Sequence, residues 1–194
     1  MGRLRARLAS RNEHKLRELQ AALPEWELGL LDVERYPPES ARSYLENARA
    51  KAAFGRAAAG SAEWVLGEDS GLEVEALGGG PGVKSARWAH GEHVERVLAA
   101  LTGVRDRRAR YVCELVALGP EGQELRGRGV LEGRIADAPR GEQGFGFDPV
   151  FVPEGETRTV ADLGLEWKTR HSHRGRAAAA LVEALARSQA QARN

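Results

Sequence analysis

At the start of the chain the hydrophobic pattern changes period twice, which predicts a strand, a helix and a second strand. Leu4–Ser10 alternates arginine with apolar residues, as a half-buried strand does. In Glu13–Leu23 leucines recur at helical spacing, and Asn12 is a favourable N-cap residue in front of them. Pro24 ends this helix, and Trp26–Leu31 is predicted as the next strand.

The rest of the chain continues this alternation. Ser43 and Glu46 have capping-box spacing ahead of an alanine-rich helix that ends near Gly60. Further helices are predicted at Glu92–Leu101 and Gly175–Gln191. Further strands are predicted at Trp64–Gly67, Leu72–Ala76, Arg110–Leu118, Gln123–Ile135 and Val150–Val152. Loops are predicted at Pro37-Pro38, Gly78–Gly82 and Gly141–Gly146. The pattern predicts an α/β chain with mixed connections, in which the Arg108–Ile135 hairpin forms much of a second lobe.

Composition narrows the class of protein. The 194 residues suffice for a single domain with two lobes. Because 29 basic residues nearly balance 28 acidic ones, we expect neither a nucleic-acid nor a membrane surface. The single cysteine, Cys113, excludes an intrachain disulfide. The chain has no signal-peptide pattern and no apolar run near the ~20 residues that span a bilayer, so we expect a cytoplasmic protein.

The first cluster with candidate chemistry is Ser10-Arg11-Asn12-Glu13-His14-Lys15. Here a strand enters a turn and then a helix, whose free backbone N–H groups favour an anion. Lys15, in the first helical turn, is within reach of phosphate oxygens bound there. An ordinary cap with a solvated lysine is the alternative.

The second cluster is Glu68-Asp69-Ser70-Gly71, which follows the apolar run Trp64-Val65-Leu66. Neighbouring residues of an extended strand point to opposite faces, so one acid can bind a metal while the other orients it or points inward. Mg²⁺ takes one or two carboxylates together with substrate phosphates and water. A carboxylate here can also accept a proton from attacking water. The alternative is a solvated acidic turn.

The third cluster, Gly144–Pro149, places two phenylalanines between glycines. Phe145 and Phe147 offer stacking faces for a base, and Gly146 permits a close approach of the backbone. Asp148 can accept a hydrogen bond from a base or from a lysine. The alternative is a hydrophobic turn.

The fourth cluster combines Lys168 with Ser172-His173-Arg174 at a predicted helix start. His173 can donate to a base carbonyl or a phosphate, and Arg174 can make a bidentate contact. A capped basic helix terminus is the alternative. Two motifs are rejected: His171 and His173 lack metal-ligand spacing, and Gly78–Gly82 lacks the ending of a Walker P-loop.

Taken together, the clusters resemble the inosine triphosphate pyrophosphatase family, also called the Ham1-like family. The matching segments run in order from Leu8 to about Leu181. They are Ser10–Lys15, Glu46-Asn47-Ala48 with Lys51, Asp69-Ser70-Gly71-Leu72, Leu77-Gly78-Gly79 followed by Pro81-Gly82 and Ser85-Ala86-Arg87, Gly144–Pro149, Lys168 and Ser172-His173-Arg174.

The resemblance implies an α/β fold with a central mixed β-sheet and flanking helices, in two lobes with the active site in the cleft between them. It also implies a homodimer and bound Mg²⁺. It implies hydrolysis of non-standard purine nucleoside triphosphates, namely ITP, dITP and XTP, to the monophosphate and pyrophosphate. By the matching motifs, residues from Ser10 to Lys15 with Lys168 would hold the phosphates, Asp69 would accept a proton and bind metal, and Ser70 would touch the substrate. The base would be held by Phe145, Gly146, Phe147 and Asp148, and His173 with Arg174 would contact its 6-oxo group.

The sequence departs from the family pattern at three places. Arg11 stands where the family usually has glycine, Glu68 replaces the usual first aspartate while keeping the carboxylate, and Lys84 replaces a common aromatic residue. A metal-binding glutamate is expected before the Glu46-Asn47 pair. Glu39 is near the right spacing and Glu34 is the alternative, with Glu68 as a further candidate ligand.

Two other functions remain open at this point. One is a pyrophosphatase for other faulty nucleotides, as in the Maf-type proteins. The other is a nucleotide-binding module without catalysis, against which the retained Asp69 and its acidic neighbour argue.

Overall fold

The computed structural model describes residues 3–37, 39–59 and 62–191. The strands are β1 (Leu4–Leu8), β2 (Trp26–Leu30), β3 (Trp64–Val74), β4 (Gly80–Pro81), β5 (Arg108–Leu118), β6 (Glu124–Ile135) and β7 (Phe151–Pro153). The helices are α1 (Glu13–Ala22), α2 (Tyr44–Ala58), α3 (Ser85–Ala89), α4 (His93–Ala100), α5 (Val160–His171) and α6 (His173–Gln191). No helix in this part of the chain is long and apolar enough to cross a membrane.

The strands form one mixed sheet in the order β2-β1-β3-β5-β6-β7, with β4 added to β3. β1 runs parallel to both β2 and β3, and the remaining pairs are antiparallel. The parallel pairs require crossover connections, which α1 and α2 supply. Because β1 ends opposite Leu66, β3 continues without that neighbour, and the edge beyond Leu66 is open to the turn that follows β1.

Helices cover the two faces of the sheet, and glycines let them approach closely. α2 packs on β3, where a Cβ atom at Gly67 would lie 2.0 Å from the carbonyl oxygen of Ala48. α6 packs on β6, where a Cβ atom at Gly127 would lie 2.0 Å from the carbonyl oxygen of Ala177. Through Leu115 of β5, Gly127 aligns with Glu68 and therefore shares its face of the sheet. Gly67 is the neighbour of Glu68 on β3, so it lies on the opposite face.

Two hydrophobic clusters lie at opposite ends of the long strands. The first surrounds Leu66 and Leu115 and includes Leu8, Leu19 and Leu181 from β1, α1 and α6. The second surrounds Leu72 and Tyr111 and includes Val97, Phe147 and Phe151. β3 and β5 contribute to both clusters, so continuous strands connect the two ends of the core.

The predicted order of strands and helices is confirmed, with corrections. The two short strands predicted around the acidic motif are wrong, because β3 runs unbroken through it and pairs with β5 from Val65 to Val74. The predicted loop Gly78–Gly82 contains the short strand β4. The predicted terminal helix begins earlier, at His173. Pro38 and Gly60, named in a predicted loop and helix end, lie outside the described residues.

The sequence analysis missed α3 and α5. The start of α5 carries a local signal, since Thr159 and Asp162 form a capping box. Gly164, with φ of 77°, interrupts the helical geometry and obscures the periodicity. This helix matters for the site, since it carries Lys168.

Candidate active site

A cavity of about 200 Å³ opens beside β3, on the face that α6 covers. It is lined by the four predicted clusters and by residues of β5 and α4, namely Asn12, Lys15, Ser70, Gly71, Leu72, Ser85, Ala86, His93, Tyr111, Phe145, Gly146, Phe147, Asp148, Lys168, His173 and Arg174. Chain segments more than a hundred residues apart therefore meet around one space.

The turn after β1 forms one wall of the cavity. Asn12 caps α1, its side chain accepting a hydrogen bond from the backbone N–H of Lys15 at 3.1 Å. Ser10 Oγ accepts from the backbone N–H of Asn12 at 3.0 Å. The turn is thus fixed at the helix N-terminus, where the helix dipole and free N–H groups favour an anion.

Arg11, Glu13 and His14 of this segment are not part of the cavity lining. Arg11 is exposed, and its guanidinium donates to the carbonyl oxygens of Val33 and Glu34 and lies over the Tyr36 ring at 5.5 Å. Glu13 is exposed on the first turn of α1. His14 stacks on Phe145 with 5.0 Å between ring centroids, which links the turn to the Gly144–Pro149 loop.

Glu68 lies on the cavity face of β3 and is fully buried. Its Oε2 is 2.6 Å from Lys15 Nζ, and its Oε1 is 3.0 Å from Arg174 Nη2. Burial alone would raise the pKa of Glu68, but the charges of Lys15 and Arg174 outweigh it and hold the pKa well below its ordinary value. Glu68 is therefore ionised and committed to two cations.

Glu18 completes this network from α1. Its two carboxylate oxygens contact Lys168 Nζ and Arg174 Nη1. Burial raises its pKa, yet Arg174 and Lys168 together lower it below the ordinary value. Arg174 also donates to Ser70 Oγ at 2.9 Å, so its guanidinium is held by Glu18, Glu68 and Ser70.

Asp69 points to the other face of β3, towards α2. Asn47 Nδ2 donates to its Oδ2 at 3.0 Å, and Lys51 Nζ lies 2.9 Å from its Oδ1. Here burial outweighs the lowering by Lys51 and Asn47, so the pKa of Asp69 is raised above its ordinary value. Lys51 Nζ is also 2.5 Å from Glu39 Oε1, so one ammonium group contacts two carboxylates.

The donor set on this face fits a divalent metal that also binds substrate. Among the described residues, no group of three His, Cys, Asp or Glu side chains could hold a metal by itself. The Asp69 and Glu39 carboxylates, which already share the cation of Lys51, supply two oxygen ligands. Mg²⁺ accepts such a site when phosphates and water provide the remaining ligands.

Glu68 and Glu34, the other candidate ligands, lie apart from this pair. Glu68 points to the opposite face of β3, and Glu34 has an exposed side chain while its carbonyl accepts from Arg11.

The Gly144–Pro149 loop closes another side of the cavity. Phe145 is half-buried, and Lys168 Nζ lies 5.0 Å from its ring centroid. Phe147 is buried and packs edge-on against His93 at 4.9 Å. Asp148 Oδ2 accepts from Lys168 Nζ at 2.7 Å and from the Phe145 backbone N–H at 2.9 Å. Of the two predicted stacking residues, Phe145 is the one with an accessible ring.

His173 begins α6 and lies flat on Tyr111, with ring centroids 4.5 Å apart and 15° between the planes. Burial, aided by the charge of Arg174, holds the pKa of His173 well below its ordinary value. The ring is therefore neutral near pH 7. Its Nδ1 is buried, with no hydrogen-bond partner among the described residues.

The comparison with known proteins begins with the family model. A model of the Ham1 family matches residues 6–184. The chain belongs to the Ham1 family. The match spans all four clusters, and the predicted family is confirmed.

Ham1 relatives extend the similarity to sequence and structure. A dITP/XTP pyrophosphatase of Deinococcus deserti is 43% identical over 183 residues, covering 91% of this chain and 87% of the relative. The Staphylococcus aureus Ham1 protein superposes with a TM-score of 0.80 at 33% identity, covering 95% of this chain and 99% of that one. The nucleoside-triphosphatase or dITP/XTP pyrophosphatase of Mycobacterium abscessus gives a TM-score of 0.69 at 39% identity, with 92% and 97% covered. The predicted mixed α/β fold is confirmed.

Sequence reasoning missed several residues of this Ham1 site. Glu18 lies three positions after Lys15 on α1, and this helical spacing was an available signal. Asn47 and Lys51 stood in a matching motif but had received no role. Tyr111 had no signal beyond its place in a strand, because its contacts with His173 and Asp148 arise only in the folded chain.

Proposed function

We propose that the protein hydrolyses non-standard purine nucleoside triphosphates, namely ITP, dITP and XTP, to the monophosphate and pyrophosphate. The observation that carries this proposal is one cavity with an aromatic ring, polar groups and lysines, whose lining includes Ser70, the neighbour of Asp69 on β3. The names of the curated relatives, dITP/XTP pyrophosphatases, support it. Loss of these triphosphates from the nucleotide pool would be the result.

The base would stack on Phe145 and be distinguished by hydrogen bonds at its 6-position. Stacking is indifferent to the base, because every base has a π-face. In the tautomer that turns its N–H towards the base, a neutral His173 donates to a 6-oxo group and is left unpaired by a 6-amino group. Asp148, held by Lys168, would hold the base from the loop side together with Gly146 and Phe147.

Arg174 would act beside the base through the network that it organises. Its guanidinium contacts Glu18, Glu68 and Ser70, and its carbon Cζ lies 5.7 Å from the Phe145 ring centroid. We assign it to the 6-oxo side of the pocket together with His173. Ser70 would touch the substrate from β3.

The phosphates would lie at the N-terminus of α1, from Ser10 to Lys15, with Lys168 behind them. Asn12 and Lys15 line the cavity, and the helix terminus supplies free N–H groups. Asp69 and Glu39 would hold Mg²⁺, as the fit of their carboxylates supports. When bound, Mg²⁺ would neutralise phosphate charge and polarise the phosphoryl oxygens.

Asp69 would accept the proton of the attacking water. Water adds to phosphorus, the bond between the α-phosphoryl group and the bridging oxygen to the β-phosphate breaks, and pyrophosphate leaves. Lys51 and Asn47 fix the two carboxylate oxygens of Asp69 and so orient the acceptor.

We also propose that the protein is a cytoplasmic homodimer without nucleic-acid or membrane partners. The near-zero net charge and the family resemblance support this proposal. Light scattering coupled to size-exclusion chromatography measures the oligomeric state directly.

The decisive experiment measures pyrophosphate and orthophosphate released from ITP, XTP, dITP, ATP and dTTP, with Mg²⁺ and with a chelator. We expect Mg²⁺-dependent pyrophosphate as the first product, with the 6-oxo substrates preferred to ATP. Orthophosphate as the first product would contradict the proposed bond cleavage. A preference for dTTP would favour a Maf-type activity, and nucleotide binding without release would leave a binding module.

A further inference from the structure

Tyr111 contacts two groups that the proposed function places at the base. It lies on β5, is buried, and lines the cavity. Its ring is nearly parallel to that of His173 at 4.5 Å between centroids, and its hydroxyl donates to Asp148 Oδ1 at 3.3 Å. One side chain thus joins α6 to the Gly144–Pro149 loop.

The contacts of Tyr111 with His173 and with Asp148 differ in how far each partner depends on Tyr111 for its position. His173 Nδ1 has no hydrogen-bond partner among the described residues, so packing has to orient this end of the ring. The parallel face of Tyr111 provides such packing, and aromatic pairs contribute about 0.5–1.5 kcal/mol beyond burial.

Asp148, in contrast, is already fixed by two shorter hydrogen bonds. Lys168 Nζ and the Phe145 backbone N–H donate to its Oδ2 at 2.7 and 2.9 Å. The 3.3 Å contact from the Tyr111 hydroxyl is longer than usual for O–H···O and adds little. The aromatic face of Tyr111, rather than its hydroxyl, is therefore the functional part of the side chain.

Phe151 also contacts the Tyr111 ring and provides a control for the packing of this hydrophobic cluster. The two rings lie 4.4 Å apart, and Phe151 is fully buried in the second hydrophobic cluster. Phe151 is not part of the cavity lining. Its truncation removes aromatic packing from the same core without touching His173.

We propose that Tyr111 is a positioning residue whose ring holds His173 in the orientation that distinguishes a 6-oxo purine from a 6-amino purine. The inference rests on the proposed function. It predicts that base selectivity depends on an aromatic ring at this position and is independent of the hydroxyl group.

The test compares Tyr111→Leu, Tyr111→Phe and Phe151→Leu with the wild-type protein. The readouts are kcat/KM for ITP and ATP, the Kd of IMP and AMP by calorimetry, and thermal stability. We expect Tyr111→Leu to lower the ITP/ATP and IMP/AMP preferences at least about tenfold, since a misplaced contact group costs up to 10²-fold. Tyr111→Phe should stay within about threefold of wild type. Phe151→Leu should lose stability and keep both preferences.

Three outcomes overturn the inference. If Tyr111→Leu folds and keeps the wild-type ITP/ATP and IMP/AMP preferences, the ring has no positioning role. If Phe151→Leu loses these preferences to the same extent, the effect is one of general packing. A large loss of preference in Tyr111→Phe assigns the role to the hydroxyl, and this variant decides alone if Tyr111→Leu does not fold.

A different result contradicts the proposed function, namely that the wild-type protein releases no pyrophosphate from ITP. In that case the IMP/AMP preference still tests Tyr111. A wild-type protein that binds both monophosphates equally overturns the inference as well.

Discussion

Two adjacent carboxylates on β3 have opposite electrostatic environments, although both are buried and both contact a lysine. Glu68 faces α1 and α6, and its pKa is held well below the ordinary value. Asp69 faces α2, and its pKa is raised. The strand thus divides the site into a face with a closed ion network and a face with a basic carboxylate.

The number of cations around each acid explains the difference. Glu68 lies between Lys15 and Arg174, whose charges exceed the cost of burial. Among the described residues, Lys51 is the one cation in contact with Asp69, and it is shared with Glu39. Burial therefore dominates at Asp69. The comparison teaches that the Glu68 face is suited to holding structure and the Asp69 face to proton transfer and metal binding.

The largest expected effect is on turnover, on the Asp69 face. Asp69→Asn keeps the shape but removes the charge and the basicity, so kcat should fall by about 10³ while circular dichroism stays unchanged. Pyrophosphate release from ITP measures this. Retention of more than about a tenth of wild-type kcat, a loss below ~1.4 kcal/mol, would refute the role.

The corresponding change on the other face should act on stability. Glu68→Gln leaves Lys15 without its buried anion and leaves Arg174 with Glu18 alone, so the free energy of unfolding should fall by about 3 kcal/mol. Urea denaturation measures it. Glu124→Gln is the control, because its ion pair with Arg49 is partly exposed and should contribute at most about 1 kcal/mol. Equal losses in both variants would contradict the comparison.

A third prediction concerns base selectivity, which we assign to the cavity on the Glu68 face of β3. His173→Ala should reduce kcat/KM for ITP far more than for ATP, narrowing the ratio by at least about tenfold, because the donor for the 6-oxo group is lost. Phe145→Ala is the control and should weaken both substrates alike, by about 1–3 kcal/mol. A parallel decline of ITP and ATP in the His173 variant would place this residue with the phosphates.

The smallest effect is expected in the acid dependence of Glu18. Arg174 and Lys168 lower its pKa against burial, so its ionised form stabilises the fold at neutral pH. That stability is lost as the pH falls below the ordinary glutamate value and through the lowered pKa of Glu18. Glu18→Gln should therefore cost less at acidic than at neutral pH in unfolding titrations. The cost stays modest because Lys168 keeps Asp148 and Arg174 keeps Glu68. A penalty independent of pH would exclude this charge effect.

Much of the site was accessible from local pattern. Period-two alternation along an extended strand already required Glu68 and Asp69 to point apart, and the strand–turn–helix order predicted the Asn12 cap. The continuity of β3 was not accessible. Polar residues in mid-strand are stable here only because cations from α1, α2 and α6 neutralise them.

The sequence by itself determined the family, the alternation of strands and helices, and the residue types that meet at the cavity. Only the tertiary structure decided which cation neutralises which carboxylate, that Phe145 rather than Phe147 keeps an accessible ring, and that Tyr111 lies under His173. The physical reason is separation along the chain. Local propensity acts within a few residues, whereas Glu18 and Arg174 meet across 156 residues through the packing of α1 against α6.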